Sequence, residues 1–206
     1  MSSVVIAGNT SGSVTLSAPD VAGTTTLTLP STSGNVLTSA SSVAASQLPT
    51  GSVLQVLSAY KTDTQSFAAS STFSDITGLS VTITPTSSSS KFLIYFSVSM
   101  GGGADATHGY VRINRNGTVI GQADAASNRT QASGTVVNTG TAGQTIPTTS
   151  MYLDSPATTS AITYKLTATA NNAAATIYLN RSSRDNDASG YDGRGTSSLV
   201  VMEVKG

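Results

Sequence analysis

The strongest constraint on the fold is a pair of segments, residues 79–84 and 91–100, in which apolar and polar side chains alternate. In the second segment apolar residues occupy every second position from Phe92 to Met100. Because successive side chains of a β-strand point to opposite faces, a period of two predicts two strands, each with one buried face. Pro85 and the four consecutive serines that follow it predict a solvated turn between them. Together the two segments predict the core of a β-domain.

The composition argues against helices. Only 10% of the 206 residues are charged, glutamate occurs once and lysine four times, so the residues that build exposed helices are nearly absent. Serine, threonine, alanine, glycine and asparagine take their place, and small hydroxylated and β-branched residues favour strands and turns. The apolar fraction of 38% is sufficient for a core. We predict an all-β protein.

Residues 1–50 differ from the rest of the chain. We predict four short strands here, each with a turn signal at its end, at residues 4–7, 13–17, 24–29 and 35–38. None of them contains an aromatic residue, and strands this short cannot bury a useful core alone. We therefore expect several copies of the chain to share this extended segment, each completing its neighbour's sheet. Residues 40–50 are small and polar and predict a linker.

Longer strands at regular spacing predict an antiparallel jelly-roll-like β-sandwich over residues 51–206. The best local signal is Asn116-Gly117, because both residues tolerate the positive φ that a type I′ hairpin turn requires. The apolar run 199–204 predicts a central strand. Besides the opening pair and two short strands around Phe67 and Phe73, we predict strands at residues 53–59, 109–114, 118–123, 130–138, 150–154, 162–170, 175–180 and 197–204.

Several classes of function are disfavoured by what the sequence lacks. The net charge is zero and there is no basic run, which argues against a nucleic-acid partner. There is no cysteine, so disulfides and thiolate zinc sites are excluded. No segment is apolar and long enough for a signal peptide or a membrane span. We therefore expect that the protein is assembled in a cytoplasm and is not inserted into a membrane. We expect no cofactor.

No catalytic constellation is visible, and we predict that the protein is not an enzyme. His108 is the only histidine, and it follows a glycine-rich stretch that predicts a loop. A single histidine builds neither a zinc site nor an identifiable triad. Asp154, Asp185 and Asp187 are conceivable glycosidase carboxylates, but that chemistry needs two carboxyls at a set separation beside a groove.

The most polar stretch, residues 184–194, is predicted to be a long exposed loop. Asp185 and Asp187 match the first and third positions of a calcium loop, but Thr196 stands where a bidentate glutamate is needed, and no helices flank the stretch. We therefore predict no metal site. Tyr191 lies among charged side chains, a mixture that stacks on sugar rings and hydrogen-bonds their hydroxyls. The predicted ligand-binding residues are Arg181, Asp185, Asp187, Tyr191 and Arg194.

Two sets of motifs in this chain have a familiar form. The first set is residues 12–19, 23–30 and 34–38, and the second is residues 79–94, 111–117, 153–164 and 199–204. The first set resembles a repeat near the N-termini of bacteriophage fibre and appendage proteins, especially those of cyanobacterial and marine phages. The second set resembles the C-terminal domain of such proteins.

The resemblance implies a homotrimeric protein of the virion. Residues 1–50 would attach it to other virion structural proteins, and residues 51–206 would display the sandwich outward for binding to the host surface, through a receptor or glycan. One alternative is a capsid decoration or cement protein (head fibre) that stabilises the shell. Another is a free carbohydrate-binding module, although 5% aromatic content without tryptophan argues against strong aromatic platforms.

Overall fold

The structure is all-β, as the alternation predicts. The computed structural model describes residues 3–17, 19–21, 23, 24, 26, 28, 31, 33, 42–103, 107–138, 142–171, 176–187 and 190–206. Within them the only helical element is one turn of 3-10 helix, Ala45–Gln47. No helix in this part of the chain is long and apolar enough to cross a membrane. The chain divides into two compact units, Met1–Ser42 and Val43–Gly206.

The described part contains thirteen strands, numbered here in chain order. They are β1 Ser3–Ala7, β2 Ser13–Ser17, β3 Val53–Lys61, β4 Gln65–Ala68, β5 Ser74–Ile83, β6 Lys91–Gly102, β7 Thr107–Arg115, β8 Thr118–Ile120, β9 Gly134–Asn138, β10 Ile146–Asp154, β11 Ile162–Asn171, β12 Thr176–Leu179 and β13 Ser197–Val204.

The first unit contains one antiparallel hairpin, β1–β2. Both strands lie where the sequence predicts them. The predicted strand at 24–29 does not form at its described positions, Thr24, Thr26 and Thr28, which are all exposed and so gain no burial from a strand. The predicted strand at 35–38 lies outside the described residues.

The second unit is one long hairpin rolled into two sheets. Apart from the short β7–β8 hairpin, its innermost antiparallel pair is β7–β9, and the pairs β6–β10, β5–β11, β4–β12 and β3–β13 follow outward in turn. Further pairings, β13 with β6 and β11 with β7, join these hairpins edge to edge. The result is a six-stranded sheet, β3-β13-β6-β12-β4 with β10 on β6, and a five-stranded sheet, β5-β11-β7-β8 with β9 on β7. This nesting is the jelly-roll arrangement.

The core lies between the two sheets and is built from the segments that alternate in sequence. On β5, Leu79, Val81 and Ile83 are buried, and the five alternating apolar side chains of β6 from Phe92 to Met100 are almost fully enclosed. Burying each large apolar side chain stabilises the fold by about 1.5–3 kcal/mol. The C-terminal strand β13 is central, between β3 and β6, as its apolar run predicts.

The Asn116-Gly117 turn forms as predicted. Asn116 has φ 48° and Gly117 has φ 88°, and Arg115 pairs with Thr118 across the hairpin. Positive φ at both central residues is what a type I′ turn requires.

Several predicted boundaries are wrong for local reasons. The strand predicted at 79–84 begins earlier, at Ser74. A bulge that contains Gly78, at φ 87°, interrupts the pairing with β11 before Ser80, and the pairing continues on the other side of the bulge at Ser74 and Asp75. The strand predicted at 118–123 ends at Ile120, before Gly121 at φ 58°. The strand predicted at 150–154 begins at Ile146 and includes Pro147, which β10 tolerates because it is an edge strand.

Residues 43–50, predicted as part of a linker, belong to the second unit. The Lys205 ammonium donates to the backbone carbonyls of Ser46 (2.9 Å) and Leu48. The Gly51 amide donates to the Lys205 carbonyl at 2.8 Å. These contacts tie the segment to the end of β13.

A buried polar cluster connects three strands of the sandwich. Arg115 on β7 donates to both oxygens of Asp154 on β10, at 2.7 and 2.9 Å, and the Tyr164 hydroxyl on β11 donates to Asp154 Oδ2 at 2.7 Å. Burial and then the hydrogen bond to Asp154 raise the pKa of the Tyr164 hydroxyl far above its ordinary value, so it stays a donor. Each polar group of this cluster therefore has a partner.

Replacing Asp154 should destabilise the sandwich strongly. In Asp154→Ala the buried Tyr164 hydroxyl and the half-buried Arg115 guanidinium lose their acceptor, which costs about 3 kcal/mol. The measurement is urea unfolding of the variant against the parent. The control is Asp75→Ala, which breaks the exposed Lys165–Asp75 pair (2.8 Å) and should cost less than about 1 kcal/mol. Equal losses in the two variants would contradict a structural role for the Asp154 cluster.

Candidate functional site

The predicted recognition loop runs from residue 180 to 196 and joins β12 to β13. Its base is clamped by Asn180, which has φ 60° and is fully buried. The Asn180 side-chain amide donates to the carbonyls of Lys61 (3.0 Å) and Asp63 (2.9 Å), and its oxygen accepts from the Ser197 hydroxyl at 2.7 Å. The loop therefore starts and ends at a rigid point of the six-stranded sheet.

The loop is organised around the carboxylate of Asp192, which the sequence analysis did not select. One oxygen accepts from the Ser182 hydroxyl at 2.8 Å, and the other from Arg184 Nε at 2.8 Å and the Asn186 amide at 3.3 Å. The Asp192 side chain has no exposed surface. The hydrogen bond from Arg184 is the main reason that the pKa of the Asp192 carboxyl lies below its ordinary value.

Three of the predicted ligand-binding residues are brought together, but they bind one another. Asp185 accepts from Arg194 at 2.9 Å and lies 3.5 Å from Arg181. The Arg181 guanidinium also stacks 4.0 Å above the ring of Tyr178. These contacts set one carboxylate against two guanidinium groups, so they leave a net positive charge but occupy donors and acceptors that a ligand would need.

Tyr191 and Asp187 are placed differently. Tyr191 is 72% exposed and Asp187 is also exposed. Tyr191 lines an open surface cavity of about 480 Å³ together with Arg184, Asp192 and, from the loop before β10, Gln144. The cavity lining includes none of the other four predicted residues. The structure thus places Tyr191 at a concave site and Asp187 outside it.

Two loops meet over β6 because Gly101 has no side chain. A Cβ at Gly101 would overlap the carbonyl of Arg181 and lie 3.0 Å from that of Gln144. The backbone of both loops therefore approaches the strand more closely than any other residue allows. This close approach brings Gln144 beside the Tyr191 loop, a juxtaposition that no local sequence signal predicts.

The remaining chemical candidates lie elsewhere. His108, predicted in a loop, is in β7, where its ring stacks on that of Tyr110 at 6.5 Å between centroids. Asp154 is buried in the sandwich cluster described above. Among the described residues no group of three or more acidic or histidine side chains could hold a metal ion.

The arrangement around Tyr191 can bind a polar ring compound. The exposed ring of Tyr191 can stack on a sugar ring, and the guanidinium of Arg184 and the amide of Gln144 beside it can hydrogen-bond the sugar hydroxyls. No protein-family model matches the chain, and no curated protein matches it.

The loop should lose order in acid. Because the folded pKa of Asp192 is depressed, its contribution to stability is complete above the ordinary aspartate pKa of about 3.9 and is lost as the pH falls through the lower folded value. We expect the amide signal of Asn186, which donates to the Asp192 carboxylate, to shift as the pH falls below about 4 in ¹H–¹⁵N spectra.

Two variants test this assignment. Asp192→Asn should remove the acid-dependent shift, because the titrating group is gone. Asp187→Asn, a change of an exposed acid in the same loop, should leave it in place. An unchanged acid shift in Asp192→Asn would show that another group controls the loop.

Proposed function

We propose that this chain is a structural, non-enzymatic protein of a bacteriophage virion, a trimeric tail fibre or appendage. The first unit attaches it to other virion proteins, and the jelly roll is displayed outward to bind a receptor or glycan on the host surface. The resemblance of both sets of motifs to phage appendage proteins supports this proposal, as does the two-unit organisation of the chain.

The observation that carries the proposal is the uncovered apolar face of the β1–β2 hairpin. In the register of the hairpin Val4 lies opposite Leu16 and Ile6 opposite Val14, so four aliphatic side chains share one face. Each of them is 55–63% exposed. A lone two-stranded hairpin is marginally stable in water, and exposed apolar faces mark interaction sites. This face needs a cover from other copies of the chain or from the virion.

A second apolar surface supports self-association. An antiparallel sheet usually has a polar outer face, but the six-stranded sheet carries apolar side chains there, in two rows across four strands. A strip of four strands is about 15 Å wide. Its most exposed members are Met151 and Val56, and Met151 is paired with Tyr95 across β10 and β6. The rows are Val56, Met202, Leu93 and Leu153, and then Val200, Tyr95 and Met151.

A capsid decoration or cement protein is the second candidate. The observation that favours it is the mutual pairing of Arg181, Asp185 and Arg194. A loop whose charged side chains already bind one another is suited to an outer surface that binds no ligand. Electron microscopy of intact particles distinguishes the two functions, since a decoration protein lies across the shell and an appendage projects from it.

Disrupting the hairpin face should dissociate the trimer. Leu16→Asp places a charge on the apolar face and should yield monomers by light scattering, whereas the parent chain gives three copies. Thr15→Asp, one residue earlier, lies on the opposite face and should remain trimeric. A monomeric parent chain, or a trimeric Leu16→Asp variant, would contradict this role for the hairpin.

Host binding should depend on Tyr191 more than on the paired charges. With alanine at Tyr191 we expect particle adsorption to fall by about tenfold, the effect of losing one aromatic contact worth about 1–2 kcal/mol. Alanines at Arg181, Asp185, Asp187 and Arg194 should have smaller effects individually. The control is the double change Ser87→Ala and Ser89→Ala in the exposed turn before β6. Unchanged adsorption with alanine at all five predicted residues would exclude the loop as the binding site.

A further inference from the structure

A second cavity, on the outer face of the five-stranded sheet and separate from the 180–196 loop, has the features of an anion site. Its volume is about 350 Å³, at the lower end of the range of small-molecule sites. It lies where the segment before β5 meets the connection between β8 and β9. The lining includes Ser71, Phe73, Arg112, Asn128, Arg129 and Thr130.

Arg112 is held in a fixed orientation in this cavity. Its guanidinium lies 3.8 Å above the ring of Phe73, and its Nε donates to the carbonyl of Gln131 at 2.8 Å. These two contacts fix the plane of the group and use one of its five donor hydrogens. The two terminal amino groups of Arg112 form the fork that recognises carboxylates. They donate no hydrogen bond to any of the described residues.

The positive charge of the cavity is not compensated. None of the ion pairs among the described residues involves Arg112 or Arg129. Of the residues that the structure describes, no acidic one lines the cavity. Burial lowers the pKa of Arg112, so the guanidinium has lost hydration without gaining an anionic neighbour. A pre-oriented, partly dehydrated cation is favourable for an incoming anion.

The rest of the lining is suited to a polyol. The Asn128 amide and the Ser71 and Thr130 hydroxyls can donate or accept hydrogen bonds. The wall beside them is rigid, because the Thr169 hydroxyl donates to the Ser70 carbonyl at 2.8 Å and the Ser70 amide donates to the Ala170 carbonyl at 3.2 Å.

We propose that this cavity binds a sugar that bears a carboxylate, such as a uronic acid. The guanidinium of Arg112 binds the planar carboxylate through two parallel hydrogen bonds, and Arg129 adds positive charge at the rim of the cavity. The polar side chains of the lining hydrogen-bond the hydroxyls of the sugar ring. The site is distinct from the Tyr191 loop and is a property of the single folded chain. It therefore requires neither the trimer nor the virion position proposed above.

The experiment is a titration of the full-length chain with glucuronate, glucose and inorganic phosphate, followed by ¹H–¹⁵N spectra. Glucuronate should shift the amides of Ser71, Thr130 and Gln131, with at least about tenfold higher affinity than glucose, since hydrogen bonds to a charged group contribute about 1.5–3 kcal/mol. Phosphate should bind more weakly than glucuronate, because it lacks the ring hydroxyls.

Three variants locate the site. Arg112→Gln should weaken glucuronate binding at least about tenfold, and Arg129→Gln, an exposed change that leaves the core intact, about threefold. Arg194→Gln, an arginine of the other loop, should bind as the parent does. If Arg112→Gln does not fold, as its spectrum would show, Arg129→Gln decides.

The proposal is overturned by any of three results: equal affinity for glucose and glucuronate, tighter binding of phosphate than of glucuronate, or undiminished glucuronate binding in Arg129→Gln. Failure of this titration leaves the trimer and adsorption experiments unaffected, since those depend on the hairpin and on Tyr191.

Discussion

The structure depends on burying the alternate apolar side chains of β6. This strand pairs with β13, β10 and β12, and its inward face from Phe92 to Met100 packs against the opposite sheet. The nested hairpins place β6 and β10 side by side, so the chain cannot close the sandwich without this strand in register. Because a shift by one residue would turn the five apolar side chains outward, burial also determines the pairing.

The candidate binding residues lie around this core, on the connections and on the outer face of one sheet. The 180–196 loop is clamped at Asn180 and arranged around Asp192, and a rigid base with polar side chains is the usual setting for binding. The cavity around Arg112 is built differently, from a strand residue whose guanidinium is held by Phe73 and Gln131. One scaffold therefore carries an exposed polar tip and a partly enclosed cationic cavity.

Association surfaces are equally prominent. The β1–β2 hairpin and the outer face of the six-stranded sheet both expose aliphatic side chains, and a chain with 10% charged residues has few charges to oppose contact between copies. In a soluble protein, apolar surfaces of this extent are usually covered by a partner. The uncovered faces are the physical basis for proposing an assembled virion protein.

The sequence by itself determined the fold class, the core and the tightest turn, because alternation, Asn116-Gly117 and the 199–204 run act through local periodicity and φ preferences. The end of β8 before Gly121 and the start of β10 before Pro147 were not predicted. Whether a strand continues past such a residue depends on its position in the sheet and on its neighbouring strands. The polar loop and Tyr191 were predictable from composition. Asp192 as its centre, Gln144 beside it and the Arg112 cavity were not, because only tertiary packing decides which distant side chains meet.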